Sequence, residues 1–199
     1  MAEIPSERHP LDPFLPEGAA MLMLGSFPPK REKWSMDFFY PNWINDMWRI
    51  TGHIFMSDKD AFVLRDKEGK MSKSFDKEKI EAFCRKHGIA LYDTATEVRR
   101  LKDNASDKFL EIVEQTDLNS LLERIPGCRA IVTTGQKATE VVTETFGCTM
   151  PSVGGMVRIQ TKAGEIEFWR MPSSSRAFPM ALEKKADYYR KMYQSINIL

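Results

Sequence analysis

Residues 21–29 read Met21-Leu22-Met23-Leu24-Gly25-Ser26-Phe27-Pro28-Pro29, and this stretch indicates the fold class. A short apolar run that ends in glycine and proline is typical of a buried parallel strand where it leaves its sheet. The pattern recurs at residues 89–92, 130–132 and 166–169. We also expect residues 157–161 to pair beside the last of these strands, through a turn at residues 162–164.

Apolar residues at helical spacing occupy the segments between these strands. There are three such segments: one precedes Gly88, one precedes Pro126, and one lies at the end of the chain. Their apolar positions are Ile80, Phe83, Cys84 and His87; Leu118, Leu121, Leu122 and Ile125; and Leu182, Ala186, Tyr189 and Tyr193. Strands that alternate with helices predict a three-layer α/β/α sandwich with a mostly parallel central sheet.

Length and composition predict one domain. The chain has 199 residues, 42% of them apolar, and a formal net charge of +1, which together exclude disordered, coiled-coil and strongly polycationic classes. Residues 1–17 hold four of the eleven prolines and are interpreted as an extended N-terminal arm. Residues 57–79 contain seven basic and six acidic residues, and we interpret them as a charged, solvated insertion within the single domain 1–199.

Cysteine and histidine are too scattered to predict a metal site. Cys84, Cys128 and Cys148 form no C-x-x-C pair, and the three histidines stand equally far apart. Buried thiols in a reducing compartment are the expected state of the cysteines. No signal peptide and no membrane-spanning run is visible, so the sequence predicts a cytoplasmic protein without membrane, metal or cofactor.

Three segments are predicted to follow strands and to line the crevice where open parallel sheets bind ligands: residues 25–29, 93–100 and 171–178. The first lacks both the G-x-x-x-x-G-K-[ST] and the G-x-G-x-x-G patterns, so no nucleotide cofactor is indicated. Its stiff turn would let the backbone approach a flat ligand, although this segment alone favours an ordinary strand-to-loop turn. The candidate pocket residues here are Gly25, Ser26, Phe27 and Pro28.

Residues 38–48 are the segment richest in aromatic side chains. We expect Ile44, Met47 and Trp48 to form the inner face of a short helix. That face leaves Phe38, Phe39, Tyr40 and Asn45 for a loop beside the crevice, where aromatic rings suit stacking on a nucleobase.

The segment after the last predicted strand is locally cationic, with six basic and two acidic residues from position 170 to 199. Serine hydroxyls, backbone N–H groups and arginine are common phosphate ligands. We therefore consider a phosphate-binding loop and a plain serine loop as alternatives for this segment. Its candidate DNA-binding residues are Pro172, Ser173, Ser174, Ser175 and Arg176.

Five short motifs then follow one another in a recognisable order. They are Gly25-Ser26-Phe27-Pro28 after a strand, Pro41 with Asn45 and Trp48, Gly88-Ile89 leading to Asp93, Gly135 with Lys137-Ala138, and Pro172-Ser173 with Ser175. In this order they resemble the G-S-F-P, H-P-x-N-x-F-W, G-I-x-L-x-D, x-x-G-x-K-A and P-S-x-S motifs of the uracil-DNA glycosylase superfamily, specifically its hypoxanthine-DNA glycosylase-like branch. The resemblance extends from residue 20 to the end of the chain.

The chain departs from that pattern at three points. Tyr40 stands where the branch has histidine, two extra residues separate Pro41 from Asn45, and Arg176 follows the final serine where the branch usually has proline. These departures bear on the catalytic residue and on the base that is recognised.

The resemblance implies a DNA glycosylase of base-excision repair, which hydrolyses the N-glycosidic bond of a deaminated base such as uracil or hypoxanthine in DNA. It places the branch's asparagine at Asn45, on the first turn of the helix that bears Trp48. Asn45 could instead merely cap that helix. Asp46 and Asp93 are the nearest carboxylates if a general base is required. Two other functions remain open: a non-catalytic DNA-binding or nucleotide-binding protein, and a hydrolase of free nucleosides.

Overall fold

The structure is a computed structural model that describes residues 4–101 and 109–199. Within these ranges the chain forms ten strands, five α-helices and a 3-10 helix at Arg31–Lys33. The strands are β1 (Ser6–Arg8), β2 (Met21–Gly25), β3 (Val63–Arg65), β4 (Met71–Phe75), β5 (Ile89–Asp93), β6 (Ala95–Arg100), β7 (Leu110–Gln115), β8 (Ala130–Thr133), β9 (Met156–Thr161) and β10 (Gly164–Arg170). The helices are α1 (Met47–Met56), α2 (Lys77–His87), α3 (Leu118–Glu123), α4 (Gln136–Phe146) and α5 (Leu182–Ser195).

The central sheet has the strand order β5-β2-β8-β10-β9. Of these five strands, β9 is antiparallel to its neighbour and the others pair in parallel. None of residues 21–24 in β2 is more than 2% exposed. Because successive strand residues point to opposite faces of a sheet, both faces of β2 are covered by other parts of the protein. The predicted α/β sandwich with a mostly parallel sheet is confirmed.

The register of β2 sets the geometry of the sheet's carboxyl edge. Leu24 pairs with Tyr92 of β5 and with Thr133 of β8, and Gly25 pairs with Asp93. The loops that leave these three strands therefore begin side by side. The three segments predicted to line a crevice start at or near this edge.

The three predicted helices are present. In α2, the Asp76 side chain accepts a hydrogen bond from the Lys79 N–H at 3.0 Å, and Gly88 ends the helix with φ +64°. One predicted helix face is wrong in part. Met47 and Trp48 are buried at the start of α1, but Ile44 precedes the helix and is 57% exposed.

A second sheet, β1-β6-β7, was not predicted from the sequence. Residues 1–3 of the predicted N-terminal arm 1–17 lie outside the described residues, and its residues Ser6–Arg8 add an antiparallel strand to β6. Arg100 of β6 holds the arm in place through Glu7, at 3.0 Å from Nε to Oε1. Its Nη2 also donates to the Pro28 carbonyl at 2.7 Å, so the arm, β6 and the loop after β2 form one connected unit.

Residues 57–79 are largely exposed, and they contain the β3–β4 hairpin. Phe62, Val63 and Phe75 are buried in the main core, so this charged segment is anchored to it by apolar side chains. Elsewhere Cys84 and Cys128 are buried, and burial raises the pKa of the Cys128 thiol to about 11. Among the described helices, none has the length and apolar character needed to cross a membrane.

Gly88 and Gly147 provide a matched test of how α2 is joined to the sheet. Both end helices with positive φ, of +64° and +58°. A Cβ at position 88 would lie 3.0 Å from the Gly18 carbonyl oxygen, whereas a Cβ at position 147 would meet nothing within 4 Å. We expect Gly147→Ala to lower the free energy of unfolding by about 1 kcal/mol through backbone strain alone. Gly88→Ala should lower it further, as measured by urea denaturation, and equal losses would contradict this account.

Candidate functional site

A cleft of about 610 Å³ opens at the carboxyl edge of the central sheet. Its walls come from the loop after β2, the end of β5, the residues after β8, the loop after β10 and the segment that leads into α1. Most of the predicted site residues line it: Gly25, Ser26, Phe27, Pro28, Phe39, Tyr40, Asn45, Asp93, Ser173, Ser174 and Ser175. The tertiary structure thus brings together residues from segments up to 150 positions apart along the chain.

Asp93 and Gly25 form one wall through close contact. A Cβ atom at position 25 would overlap Oδ1 of Asp93, so only glycine leaves room for this carboxylate. The Thr94 N–H donates to the Gly25 carbonyl at 2.9 Å, which holds the two strand ends together. The Asp93 side chain is 11% exposed, so it reaches the cleft from a largely buried position.

His9 is a site residue that sequence analysis missed. Its Nε2 lies 2.8 Å from Oδ2 of Asp93, and its side chain is 2% exposed. The ring packs against Phe27 and Tyr92, with centroid distances of 5.2 and 4.7 Å. Nothing in the local sequence identifies His9, because it stands 84 positions from Asp93 and belongs to no motif. The local feature that could have drawn attention to His9 is the polar pair His9-Pro10 within the predicted extended arm.

Tyr40 is held in an unusual backbone conformation beside the cleft. Its φ of +51° lies in the left-handed region, which bulky residues rarely adopt. The hydroxyl is 3.0 Å from Oγ1 of Thr134, and the ring meets Trp48 edge to face at 6.1 Å. Burial raises the pKa of the Tyr40 phenol, so the group remains a neutral hydroxyl. Phe39 also lines the cleft but is 4% exposed, which limits the ring area available for stacking.

Asn45 lies just before α1 rather than on its first turn. Its Oδ1 accepts a hydrogen bond from the N–H of Met47, the first residue of α1, at 2.9 Å, and Asn45 also lines the cleft. The N-cap residue of α1 is Asp46, whose side chain makes no capping hydrogen bond, so the Asn45 side chain holds the start of the helix from one residue further out. A backbone bridge joins Asn45 to Ser175 in the loop after β10. No protein partner for the Asn45 amide NH₂ occurs among the described residues, which leaves two donor hydrogens for a ligand or water.

Asp46 does not line the cleft; it fastens two of the cleft's walls to each other. Its Oδ1 accepts from Nε of Arg176 at 2.8 Å, and its backbone N–H donates to the Ser174 carbonyl at 2.9 Å. Lys185 lies close to both segments: its Nζ is 3.9 Å from Oδ2 of Asp46, and it donates to the Ser175 carbonyl at 2.8 Å. We call Asp46, Arg176 and Lys185 the loop clamp.

The loop clamp is an ion cluster of uneven exposure. The side chain of Lys185 is 1% exposed and that of Asp46 is 9% exposed, whereas 45% of the Arg176 side chain remains accessible. Burial lowers the pKa of Lys185, and the Asp46 carboxylate partly offsets this by raising it. The carboxylate therefore stabilises an ammonium group that has almost no water around it. Arg176 keeps an exposed portion beside the cleft, and Pro172 lies outside the lining with its carbonyl bonded to the Tyr189 hydroxyl.

The described residues contain no group of three or more His, Cys, Asp or Glu side chains arranged to hold a metal ion. The polar side chains that line the cleft include two amides, the Asp93 carboxylate, the Arg100 guanidinium and several hydroxyls. Such a set can orient a flat, hydrogen-bonding molecule and a water molecule beside it.

Comparison with solved structures identifies the architecture. The chain matches the solution NMR structure of a "putative uracil DNA glycosylase" from Methanosarcina acetivorans with a TM-score of 0.60 and 22% sequence identity. The match covers 96% of this chain and 99% of that one. The protein has a uracil-DNA glycosylase-like fold. No protein-family model matches the sequence, and no curated protein does.

The loop clamp makes a testable prediction about stability. Asp46→Asn removes the anion while keeping the shape of the side chain, so Lys185 is left as an uncompensated buried charge. We expect the free energy of unfolding to fall by about 3 kcal/mol, the scale for breaking a buried ion pair. Adding Lys185→Met should restore part of that loss in chemical denaturation.

Glu165→Gln is the matched control for this prediction. Its partner Arg158 lies 2.7 Å away, but both side chains are more than half exposed. We expect a much smaller loss for this surface pair. Equal losses at the two sites, or no rescue by Lys185→Met, would show that the loop clamp does not stabilise the fold.

Proposed function

We propose that this protein is a DNA glycosylase that hydrolyses the N-glycosidic bond of a deaminated base, uracil or hypoxanthine, in DNA. The observation that carries the proposal is the cleft at the sheet's carboxyl edge, where Asn45 and Asp93 face one space within a uracil-DNA glycosylase-like fold. Each of the five motifs that resemble this superfamily contributes at least one residue to the lining of this space. A volume of about 610 Å³ lies within the usual range for small-ligand sites and suits a base that has left the stack.

The reaction breaks the bond between C1′ of the sugar and a ring nitrogen of the base. The bonding electrons leave with the base, positive charge develops on the sugar, and water supplies the new oxygen on C1′. Donors aimed at the base stabilise its developing negative charge. The Asn45 NH₂ and the Tyr40 hydroxyl are the donors that this proposal assigns to the base. The Asp93 carboxylate is assigned to the water and to the cationic sugar.

Asp46 takes no direct part in this proposal. Although it was a candidate base from the sequence, it is engaged by Arg176 and Lys185 and lies outside the cleft lining. We assign it the role of holding the Ser173–Ser175 walls against Asn45. Arg176 retains exposed surface and is proposed, with the serine loop, to contact a DNA phosphate near the entrance.

Asn45→Ala tests the proposed chemistry. We expect loss of most base release from oligonucleotides that carry a single uracil or hypoxanthine, scored as alkali-labile strand breaks, while binding to the same oligonucleotides persists. The reason is that the variant loses the amide NH₂ that donates to the departing base.

Asp76→Ala is the matched control, because the Asp76 side chain also accepts a hydrogen bond from a backbone N–H at the start of a helix, that of Lys79 in α2, and does not line the cleft. Loss of either hydrogen bond should lower the free energy of unfolding by about 1 kcal/mol. Only Asn45→Ala should reduce base release. If both variants are equally unstable and both turn over normally, Asn45 only holds the start of α1 and this mechanism is wrong.

Ile44 is proposed to enter the base stack when the damaged base leaves it. It lines the cleft, is 57% exposed, and sits on a turn held by hydrogen bonds from Ile44 N–H to Asn42 Oδ1 at 3.1 Å and from Asn45 N–H to the Asn42 carbonyl at 2.8 Å. Its β-branched side chain is stiff, and apolar wedges of this kind offset the cost of unstacking. A rigid apolar group at the mouth of the cleft favours a duplex substrate.

Ile44→Ala should therefore reduce base release from duplex DNA by about tenfold and leave release from single-stranded DNA nearly unchanged, since a single strand has no gap to fill. Met71→Ala is the control, because Met71 is 52% exposed on the β3–β4 hairpin and does not line the cleft. Equal effects on duplex and single-stranded substrates would contradict the wedge.

The same assays separate the two other candidate functions. Salt-dependent duplex binding with no base release would identify a non-catalytic DNA-binding protein. Release from free nucleosides but not from oligonucleotides would identify a nucleoside hydrolase.

A further inference from the structure

We propose that His9, on the N-terminal arm, is a positioning residue for Asp93 and that the arm is therefore part of the active site. This inference rests on the proposed function, since it concerns the carboxylate assigned to the water and the sugar.

The two carboxylate oxygens of Asp93 have different surroundings. Oδ2 is bound by Nε2 of His9 at 2.8 Å, on the side away from solvent. Oδ1 lies over the backbone of Gly25, within the wall of the cleft. Holding one oxygen fixes the rotation of the carboxylate, so the other is presented to the cleft in one orientation.

The contact persists whether or not His9 carries a positive charge. Nδ1 of His9 lies 2.8 Å from the Leu11 carbonyl and 3.2 Å from the Leu11 N–H. A neutral ring accepts from that N–H at Nδ1, and a protonated ring donates to that carbonyl. In both cases the Nε2–H donates to Asp93.

Hydrogen bonds made by residues before and after His9 attach the arm to β5 and β6. The His9 N–H donates to the Thr96 carbonyl at 2.8 Å, and Phe14 exchanges backbone hydrogen bonds with Leu91 of β5. Glu7 is bound by Arg100, which also donates to the loop after β2. These bonds precede and follow His9, so they fix the backbone position from which its ring reaches Asp93.

Such an arrangement affects the chemical step more than binding. A carboxylate that turns or shifts by about 1 Å loses its alignment with water and sugar, and displacements of that size cost up to about a hundredfold in rate. The base itself is bound by other groups, so its affinity should change little.

The experiment measures single-turnover and steady-state base release for wild type, His9→Ala, His9→Gln, Asp93→Asn and the double variants His9→Ala/Asp93→Asn and His9→Gln/Asp93→Asn. We expect His9→Ala to lower kcat by about tenfold to a hundredfold with KM nearly unchanged. His9→Gln should recover part of that loss, because its amide can still donate to Oδ2. In the Asp93→Asn background, His9→Ala should change kcat by less than about twofold, since the group it positions is gone.

Arg8→Ala is the matched control. Arg8 is the neighbouring residue on the arm, and its side chain is 77% exposed and paired with Glu97 instead of facing the cleft. It should leave base release unchanged. Thermal unfolding of every variant reports whether the arm remains attached, and a failure of His9→Ala to fold leaves the comparison of His9→Gln in the two Asp93 backgrounds.

Three results would overturn the inference: normal kcat in His9→Ala, normal kcat in Asp93→Asn, or equal effects of the His9 substitution in both backgrounds. Each of these requires an active wild type. A wild type that releases no base from any lesion contradicts the proposed function itself, so the two failures are distinguishable.

Discussion

The parallel pairing of β2 with β5 is the constraint on which the candidate site depends. It places Gly25 opposite Asp93, and the missing side chain at position 25 provides the space that the carboxylate occupies. Pairing of β2 with β8 on its other side brings Thr134, and with it the Tyr40 hydroxyl, to the same edge. A shift of one residue in this register would turn these groups away from one another, because side chains alternate between the faces of a sheet.

A second set of interactions holds two walls of the cleft against each other. The loop clamp joins the segment before α1 to the loop after β10 through Asp46, Arg176 and Lys185. The backbone N–H of Asp46 also donates a hydrogen bond to the Ser174 carbonyl, which joins the same two segments. Burying charged groups costs desolvation free energy. The loop clamp is therefore explained by the position that it imposes on Asn45 and on the serine loop, rather than by a net gain in stability.

Structure that depends on local sequence patterns could be predicted from the sequence, whereas structure that depends on contacts between distant residues could not. Apolar runs closed by glycine or proline predicted the four parallel strands, and helical spacing before Gly88 predicted the end of α2, because these patterns are local. Ile44 was assigned to the inner face of a helix and is exposed, because spacing alone does not locate the residue at which a helix begins. The β1-β6-β7 sheet was missed because its strands are rich in charged residues and lack a continuous apolar run, and because β1 is far from β6 in the sequence.

From the amino-acid sequence alone came the fold class, the motifs that resemble the uracil-DNA glycosylase superfamily, and a set of candidate site residues most of which line the cleft. Strand ends carry these residues, and parallel strands end at a common edge, so position along the chain was sufficient to group them. Only the tertiary structure separated the roles of Asp46 and Asp93 and revealed His9. Both distinctions depend on partners more than 80 positions away, Arg176 for one and His9 for the other, and no local pattern encodes which side chains meet across such a distance.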